Sequence, residues 1–307
     1  MKLYAPAYYK DFACIADKCR HSCCIGWEID VDKRTLKSYK RLGDKAILSS
    51  IDASDTPHFR LSAGERCPHL NEKGLCRIIR TYGEGYLCDI CREHPRFYND
   101  TPRGRETGLG MVCEEACRLI LTAEDCFGVC EIGKEKGRAR RRPFDALAER
   151  ESIYAVLSDE AIAYHDRLRR IADVYRLPSL DEKKCRARLL SLEYMREENR
   201  ARFASAFRAD LSFPKEIEPY LRRALAYFIY RHVTAARGAT EARMAVGFSL
   251  LCERLLASVA KRENALTLAA LSEIARTLSE ELEYSEENTR ALMIFSIQKT
   301  DFNGAYS

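Results

Sequence analysis

The stretch CIADKCRHSCCIGW, residues 14–27, places four cysteines within eleven positions, two of them adjacent. Cys67 and Cys76 then bracket the Gly-containing turn of CPHLNEKGLC, Cys88 and Cys91 form CDIC, and Cys113, Cys117, Cys126 and Cys130 close the series. Thiols so placed can be stapled as disulfides, hold metal or carry redox chemistry. Short spacings let two thiolates bind one ion without ordering a long loop, and thiolates suit zinc and iron–sulfur clusters better than hard cations. The residues leave the metal itself open.

Compartment and composition narrow the choice. The opening MKLYAPAYYKDFAC has no apolar run and no small-residue cleavage pattern, so no signal peptide is expected, and no segment approaches a transmembrane length. A cytoplasmic, reducing setting is therefore expected, where clustered cysteines bind metal more often than they pair as disulfides. With 46% hydrophobic residues the chain can build a core without cross-links. The net charge of +5 is modest and partly local to KEKGRARRRP, residues 134–143. No aromatic residues interleave with those charges as base stacking requires, so the run reads as a linker, and neither nucleic acid nor membrane is an expected partner. The sequence leaves the oligomeric state open.

Several sharper motifs are absent. Cys19-x3-Cys23 runs straight into Cys24, which is not the Cys-x3-Cys-x2-Cys of radical enzymes. No His-x3–5-His pair closes a zinc finger, and neither a Gly-x-Gly-x-x-Gly turn after a strand nor a P-loop occurs. His69 and His94 lie beside cysteines and read as neighbours of a metal shell rather than as ligands.

These residues need elements to position them. WEIDVDKRTLKSYKRL predicts a short extended piece and then a helix opened by Asp32 or Thr35, and CEEACRLILTAED a helix with Cys113 and Cys117 one turn apart. From Lys134 onward apolar residues recur three and four apart, punctuated by Pro178, Pro214 and Gly238, which predicts about six helices in an antiparallel bundle. Cys185 and Cys252 fall inside these helices as buried small hydrophobes. The expected fold is mainly α: an irregular Cys-rich metal-binding domain at 1–133, a basic linker at 134–144 and a helical bundle domain at 145–307, the first packed on the last.

YYKDFACIADKCRHSCCIGWEIDVDKRTLKSYKRL, CPHLNEKGLCRI, CREHPRFYN and MVCEEACRLIL together resemble the flagellin lysine-N-methylase family. The resemblance is close over roughly residues 4–122 and looser in the helical half, where YFIYRH is similar to a helix of the family. It implies methyl transfer from S-adenosylmethionine to lysine side chains of flagellin as protein substrate, and a [4Fe-4S] cluster in the cysteine core, with zinc as the alternative metal. The positions it matches are Cys14, Cys19, Cys23, Cys24, Cys67, Cys76, Cys91 and Cys113. One four-iron cluster needs four thiolates, and Cys19, Cys23, Cys24, Cys67, Cys76 and Cys91 form the pool expected to contain them. His94 stands where the family commonly has Tyr. Cys88, Cys117, Cys126 and Cys130 are additions, enough for a second closed site.

Methylating lysine requires a neutral amine, whereas the free side chain has a pKa of about 10.4. Near the cysteines, Tyr82, Glu84 and Tyr86 of RTYGEGYLC could line an amine pocket and take the proton, with Asp30 and Asp32 after Trp27 as further acids. Arg92 and Arg96 could pair the carboxylate of the methyl donor. Against this enzyme stands a second class, a non-catalytic zinc or iron–sulfur module that senses redox state or binds a partner. An enzyme should show a donor-sized pocket abutting the cysteine core and lined by polar side chains.

Overall fold

A computed structural model describes residues 1–137, 139, 143–209 and 212–298. It is mainly α, as expected, and the chain divides into two compact units. One comprises 13–97 with 113–115, and the other 1–12, 98–112 and 116–307. This division does not follow the expected boundary at residue 133. The strand Val129–Lys134 runs antiparallel to Lys2–Pro6, which is parallel to Gly104–Leu109, with Arg96–Thr101 at the far edge. Residues 1–12, 98–112 and 116–134, which carry most of this sheet, fall in the same unit as the helices. Of the basic run, residues 138 and 140–142 lie outside the described residues.

In the larger unit eight α-helices follow residue 145 among the described residues, because two of the long periodic runs break near residues 159 and 191. Their starts are capped by side chains as local sequence dictates: Asp145 accepts from the Ala148 amide, Asp181 from Lys184, Thr267 from Ala270 and Ser285 from Asn288. Gly238, expected as a stop, sits at the entry of the longest helix, Ala239–Arg262. That helix is buried along most of its length, which makes it the centre of the bundle, and Cys252 lies on it at 1% exposure. Cys185 is equally buried. No helix among the described residues is long and apolar enough to cross a membrane.

Two π-turns, Ile229–Val233 and Ser279–Glu283, interrupt this bundle, and a buried polar network joins them. Such turns recur at functional sites. Elsewhere in the bundle Glu253 is 1% exposed and accepts from the Tyr164 hydroxyl at 3.2 Å. Burial pushes its carboxyl up to about 7, against the smaller pull of Arg254 and that hydrogen bond. A raised carboxyl binds its proton more tightly when folded, so this contribution is full below the unfolded value and is lost as pH rises through about 7. Glu253→Gln keeps an acceptor for Tyr164 and removes the ionisation. Denaturant melts from pH 5 to pH 8 are expected to show the variant gaining on the parent as pH rises, by on the order of 2–3 kcal/mol at the top of the range. Parallel curves would mean Glu253 ionises freely.

The smaller unit has little regular structure. Two-residue strands Ile29–Asp30, Ile51–Asp52 and His58–Phe59 form a sheet with the last in the middle. Asp32 caps the helix Lys33–Leu42 through the Thr35 amide (2.9 Å), as one of the two predicted openings. A core of Ile29, Val31, Tyr39, Ile47, Ile51, Phe59 and Ile78 includes Cys67 and Cys88, with Cys24, Cys76 and Cys91 packed against it.

Candidate metal centre

Backbone pairing brings the inner cysteines together. Gly26 donates to the Glu65 carbonyl at 2.9 Å and Cys67 to the Cys24 carbonyl at 2.8 Å, which lays the CC segment along residues 65–67. The eight residues between Cys67 and Cys76 then fold back. Asn71 Oδ1 accepts from the Lys73 and Leu75 amides, Gly74 takes φ +72°, and Leu70 bridges to Cys76. Cys88 precedes the helix Asp89–Glu93, which carries Cys91. Asp32 fixes that helix by accepting from the Asp89 amide at 2.9 Å. Tyr39 donates to the Tyr86 carbonyl at 2.7 Å and lies 3.7 Å from Cys88 Sγ.

A second group forms where the loop 14–23 meets residues 113–115. Glu114 Oε2 accepts from the Arg20 amide at 2.9 Å and stands 3.8 Å from Cys19 Sγ, while Oε1 takes Arg20 Nε at 3.0 Å. Cys14, Cys23 and Cys113 are electrostatic neighbours in this group. The helix begins at Glu114, so Cys113 precedes it, and Cys113 and Cys117 part instead of sharing a face. Cys113 goes with the cysteine unit, and Cys117, fully buried in the helical unit, donates to the Ser272 carbonyl at 3.4 Å.

The thiols adjust one another. A hydrogen bond from Cys23, outweighing burial, pulls Cys24 down to about 7 while Cys23 is pushed up. Cys91 likewise lowers Cys88 and is itself raised. Burial pushes Cys67 up to about 12. Each pair thus offers one thiol ready to become the thiolate that metals bind. The chemistry of this donor set fits zinc or an iron–sulfur cluster. Among the described residues no three His, Cys, Asp or Glu side chains converge at coordination spacing; a metal held here would have to draw these neighbours together. No disulfide joins the cysteines.

The four additional cysteines are not grouped as one set. Cys88 lies with Cys91 in the cysteine unit, and the other three are in the helical unit. There Cys126 lies in a shallow depression with Tyr8 and Tyr154, and Cys130 is exposed on a strand, its Sγ 3.6 Å from the Ala5 carbonyl. Burial pushes both His69 and His94 down to about 4, and His69 Nε2 is 3.0 Å from Ser50 Oγ.

Tyr82 donates to Asp44 Oδ2 at 2.6 Å, which raises its phenol pKa, and the Tyr86 ring packs beside it at a tilt, centroids 5.6 Å apart. Glu84 is exposed in the turn between them. Asp30 pairs in the small sheet opposite His58. Arg92 is engaged by Asp89 and Glu93, and Arg96 donates to the Arg92 carbonyl at 3.3 Å. A cleft of about 360 Å³ opens elsewhere, lined by Pro68, His69, Leu70 and Asn71 after Cys67 and by Arg77, Arg80 and Thr81 after Cys76. Arg77 pairs with Asp44 at 3.0 Å. Arg80 makes no side-chain hydrogen bond or ion pair among the described residues. These two cations escaped the sequence reading. Their signal was the i, i+3 spacing in CRIIR, directly after a candidate ligand.

Comparison with known proteins bears out the resemblance. Over 136 residues, 41% of this chain, it is 32% identical to proteins named lysine-N-methylase from Salmonella choleraesuis and Salmonella typhimurium. It is 29% identical over 161 residues to a flagellar biosynthetic protein FliU from Salmonella muenchen, covering 94% of that protein. The match spans about a third of the length of the lysine-N-methylases, 34% in each case. No family model matches the chain, and no solved structure does.

Proposed function

We propose that this chain is a protein lysine N-methyltransferase, which moves a methyl group from S-adenosylmethionine to lysine amines of flagellin and holds a [4Fe-4S] cluster in its cysteine unit. The sequence match to proteins named lysine-N-methylase carries this reading. The cleft beside Cys67 and Cys76 supports it, because its volume falls within the roughly 300–1,000 Å³ of small-molecule sites and it sets Arg77 and Arg80 beside the apolar Pro68 and Leu70. Cys19, Cys23, Cys24, Cys67, Cys76 and Cys91 remain the pool from which the cluster would be held. Bound there, it would supply an iron centre and fold the irregular loops around itself.

The chain's own residues have three tasks. Arg80, with Arg77, would orient the donor through its carboxylate. Pro68 and Leu70 would exclude water from one wall of the cleft. The acceptor amine must lose its proton, and of the three candidates Glu84 is the acid left open, since Tyr82 is committed to Asp44. The test is anaerobic purification with iron, sulfide and zinc counted per chain, followed by incubation with S-adenosylmethionine and flagellin. Methylated lysines in the flagellin digest are expected. Zinc alone, without colour or transfer, would overturn the reading in favour of an interaction module.

Arg80→Ala should isolate donor binding. A charge-assisted hydrogen bond at an exposed site is worth about 1.5 kcal/mol, so the KM for S-adenosylmethionine should rise about tenfold. An interaction made equally in the ground and transition states leaves kcat unchanged. An unchanged KM would place the donor elsewhere.

A further inference from the structure

We propose that Asp44 determines what the cleft beside Cys67 and Cys76 accepts. It clamps the helix that bears both arginines of the cleft and offsets the charge of one. The cleft then takes a ligand with a single carboxylate and a cationic centre in preference to a polyanion. This deepens the reading above and rests on it for the identity of that ligand, since S-adenosylmethionine, with one carboxylate, an ammonium and a sulfonium, is of this class. Asp44 is not in the lining and acts through Arg77, so it is a positioning residue.

One carboxylate grips both ends of the short helix Arg77–Tyr82. Arg77 Nη2, at its start, donates to Oδ1 at 3.2 Å and to Oδ2 at 3.0 Å, and the Tyr82 hydroxyl, at its end, donates to Oδ2 at 2.6 Å. Arg80 and Thr81, which line the cleft, lie between these two anchors in sequence. Asp44 is itself held in place, because Oδ1 also accepts the Ala46 and Ile47 amides at 2.8 and 3.1 Å and so caps the helix Lys45–Ser49. The facing wall is tied in through the backbone, where the Arg77 amide donates to the His69 carbonyl at 2.7 Å. Arg77 uses only Nη2 on Asp44. Among the described residues its Nε and Nη1 make no hydrogen bond, which leaves two donor nitrogens for a ligand.

Charge decides what such a cleft prefers. Two guanidiniums without a counter-charge favour a doubly charged group such as a phosphate. The Arg77–Asp44 pair sums to zero, which leaves Arg80, with no ion pair among the described residues, as the uncompensated cation of the lining. One positive charge matches one carboxylate. The same offset reduces the repulsion that an ammonium and a sulfonium would meet from two arginines, because like charges still oppose one another over several ångströms near a protein surface. Asp44 thus keeps Arg77 as a hydrogen-bond donor while cancelling its charge.

The experiment is equilibrium binding to the anaerobically purified full chain at constant ionic strength, with S-adenosylmethionine, S-adenosylhomocysteine and inorganic sulfate as probes. Parent, Asp44→Asn and Asp44→Glu are compared. Asparagine keeps an acceptor for the capped amides and removes the charge, whereas glutamate keeps the charge. Asp44→Asn is expected to bind sulfate about tenfold more tightly and S-adenosylmethionine about tenfold more weakly, the size of one charge contact near a surface. S-adenosylhomocysteine, which lacks the sulfonium, should lose less. Asp44→Glu should keep the parent's order of preference. Equal losses of all three probes in Asp44→Asn would mean a merely loosened fold and overturn the proposal, as would unchanged affinities. If Asp44→Asn fails to fold, the parent decides: sulfate bound as tightly as S-adenosylmethionine overturns the proposal, and much weaker sulfate supports it. A parent that binds the methyl donor while Asp44→Asn keeps its preference sinks only this proposal. A parent that binds neither donor nor product, with sulfate still gained in Asp44→Asn, sinks only the methyltransferase reading.

Discussion

Stripping the metal proposed for the cysteine unit, under reducing, anaerobic conditions, is expected to unfold residues 13–97 while the helices from Ala146 to Phe295 keep their structure. The smaller unit has few means of its own to stay folded. Its sheet strands are two residues long, and its helices other than Lys33–Leu42 span only one to two turns. Its apolar core is a handful of side chains. Fixing each residue's backbone costs about 1–2 kcal/mol, and small domains with this little burial usually need metal or disulfides. Structural zinc in small domains contributes an apparent ~10–16 kcal/mol, which is more than any single side chain here can supply. The larger unit buries Phe203, Phe207, Phe228, Phe248 and the central helix without involving the clustered thiols. Hydrogen exchange read by mass spectrometry separates the two cases. Protection across Ala13–Phe97 should collapse on chelation and return when metal is restored. Protection that survives metal loss would mean the core suffices, and the cysteines would then have to be explained by chemistry alone.

How much of this could be read from the residues depended on how local the cause was. Asp32 was legible as a cap because the Thr35 amide it satisfies is three residues away. The bundle helices were legible because their apolar residues repeat every three to four positions. The four-stranded sheet was not, since Leu3 pairs with Arg105 and Leu3 also faces Gly133, contacts that no local pattern encodes. Missing that sheet moved the boundary to residue 133. Spacing also misled at Cys113 and Cys117, because four residues apart means one face only inside a helix, and this helix starts at Glu114. The adjacent pair Cys23 and Cys24 looked like two ligands of one site. The pairing of residues 24–26 with 65–67, which lays Cys24 beside Cys67, was likewise beyond any local pattern. Arg77 and Arg80 were overlooked for a related reason, as charges on a short helix look alike until a cleft forms against them.

Glu283→Ala is expected to cost the helical unit about 3–5 kcal/mol, the usual penalty for removing one partner of a buried charge pair. Glu283, the last residue of the second π-turn, is fully buried against residues of the first. His232 Nε2 lies 2.7 Å from its Oε1, the Tyr227 and Ser279 hydroxyls donate to Oε2 at 2.7 and 2.6 Å, and Arg231 Nε is 3.5 Å away. Burial alone would push this carboxyl up, but Arg231, His232 and the hydrogen bonds outweigh it and hold it at about 2. The surroundings leave no room to relax. A Cβ on Gly110 would fall 2.0 Å from the Tyr284 hydroxyl, and Arg231 stacks on the Tyr284 ring at 4.7 Å. Because the folded value lies below the unfolded one, this stabilisation is present above about pH 4.5 and is lost as pH falls toward about 2. Denaturant melts should therefore show Glu283→Ala far below the parent at pH 7, with the gap narrowing in acid. Glu283→Gln should fall between them, since it keeps acceptors for the hydroxyls and loses the charge. The same variants discriminate structure from chemistry in a region whose π-turns invite a catalytic interpretation. A purely structural network predicts that Glu283→Gln, assayed well below its melting temperature, keeps the parent's KM for S-adenosylmethionine and its kcat. A kcat lost with the fold intact would move the reacting amine into the helical unit and away from Glu84.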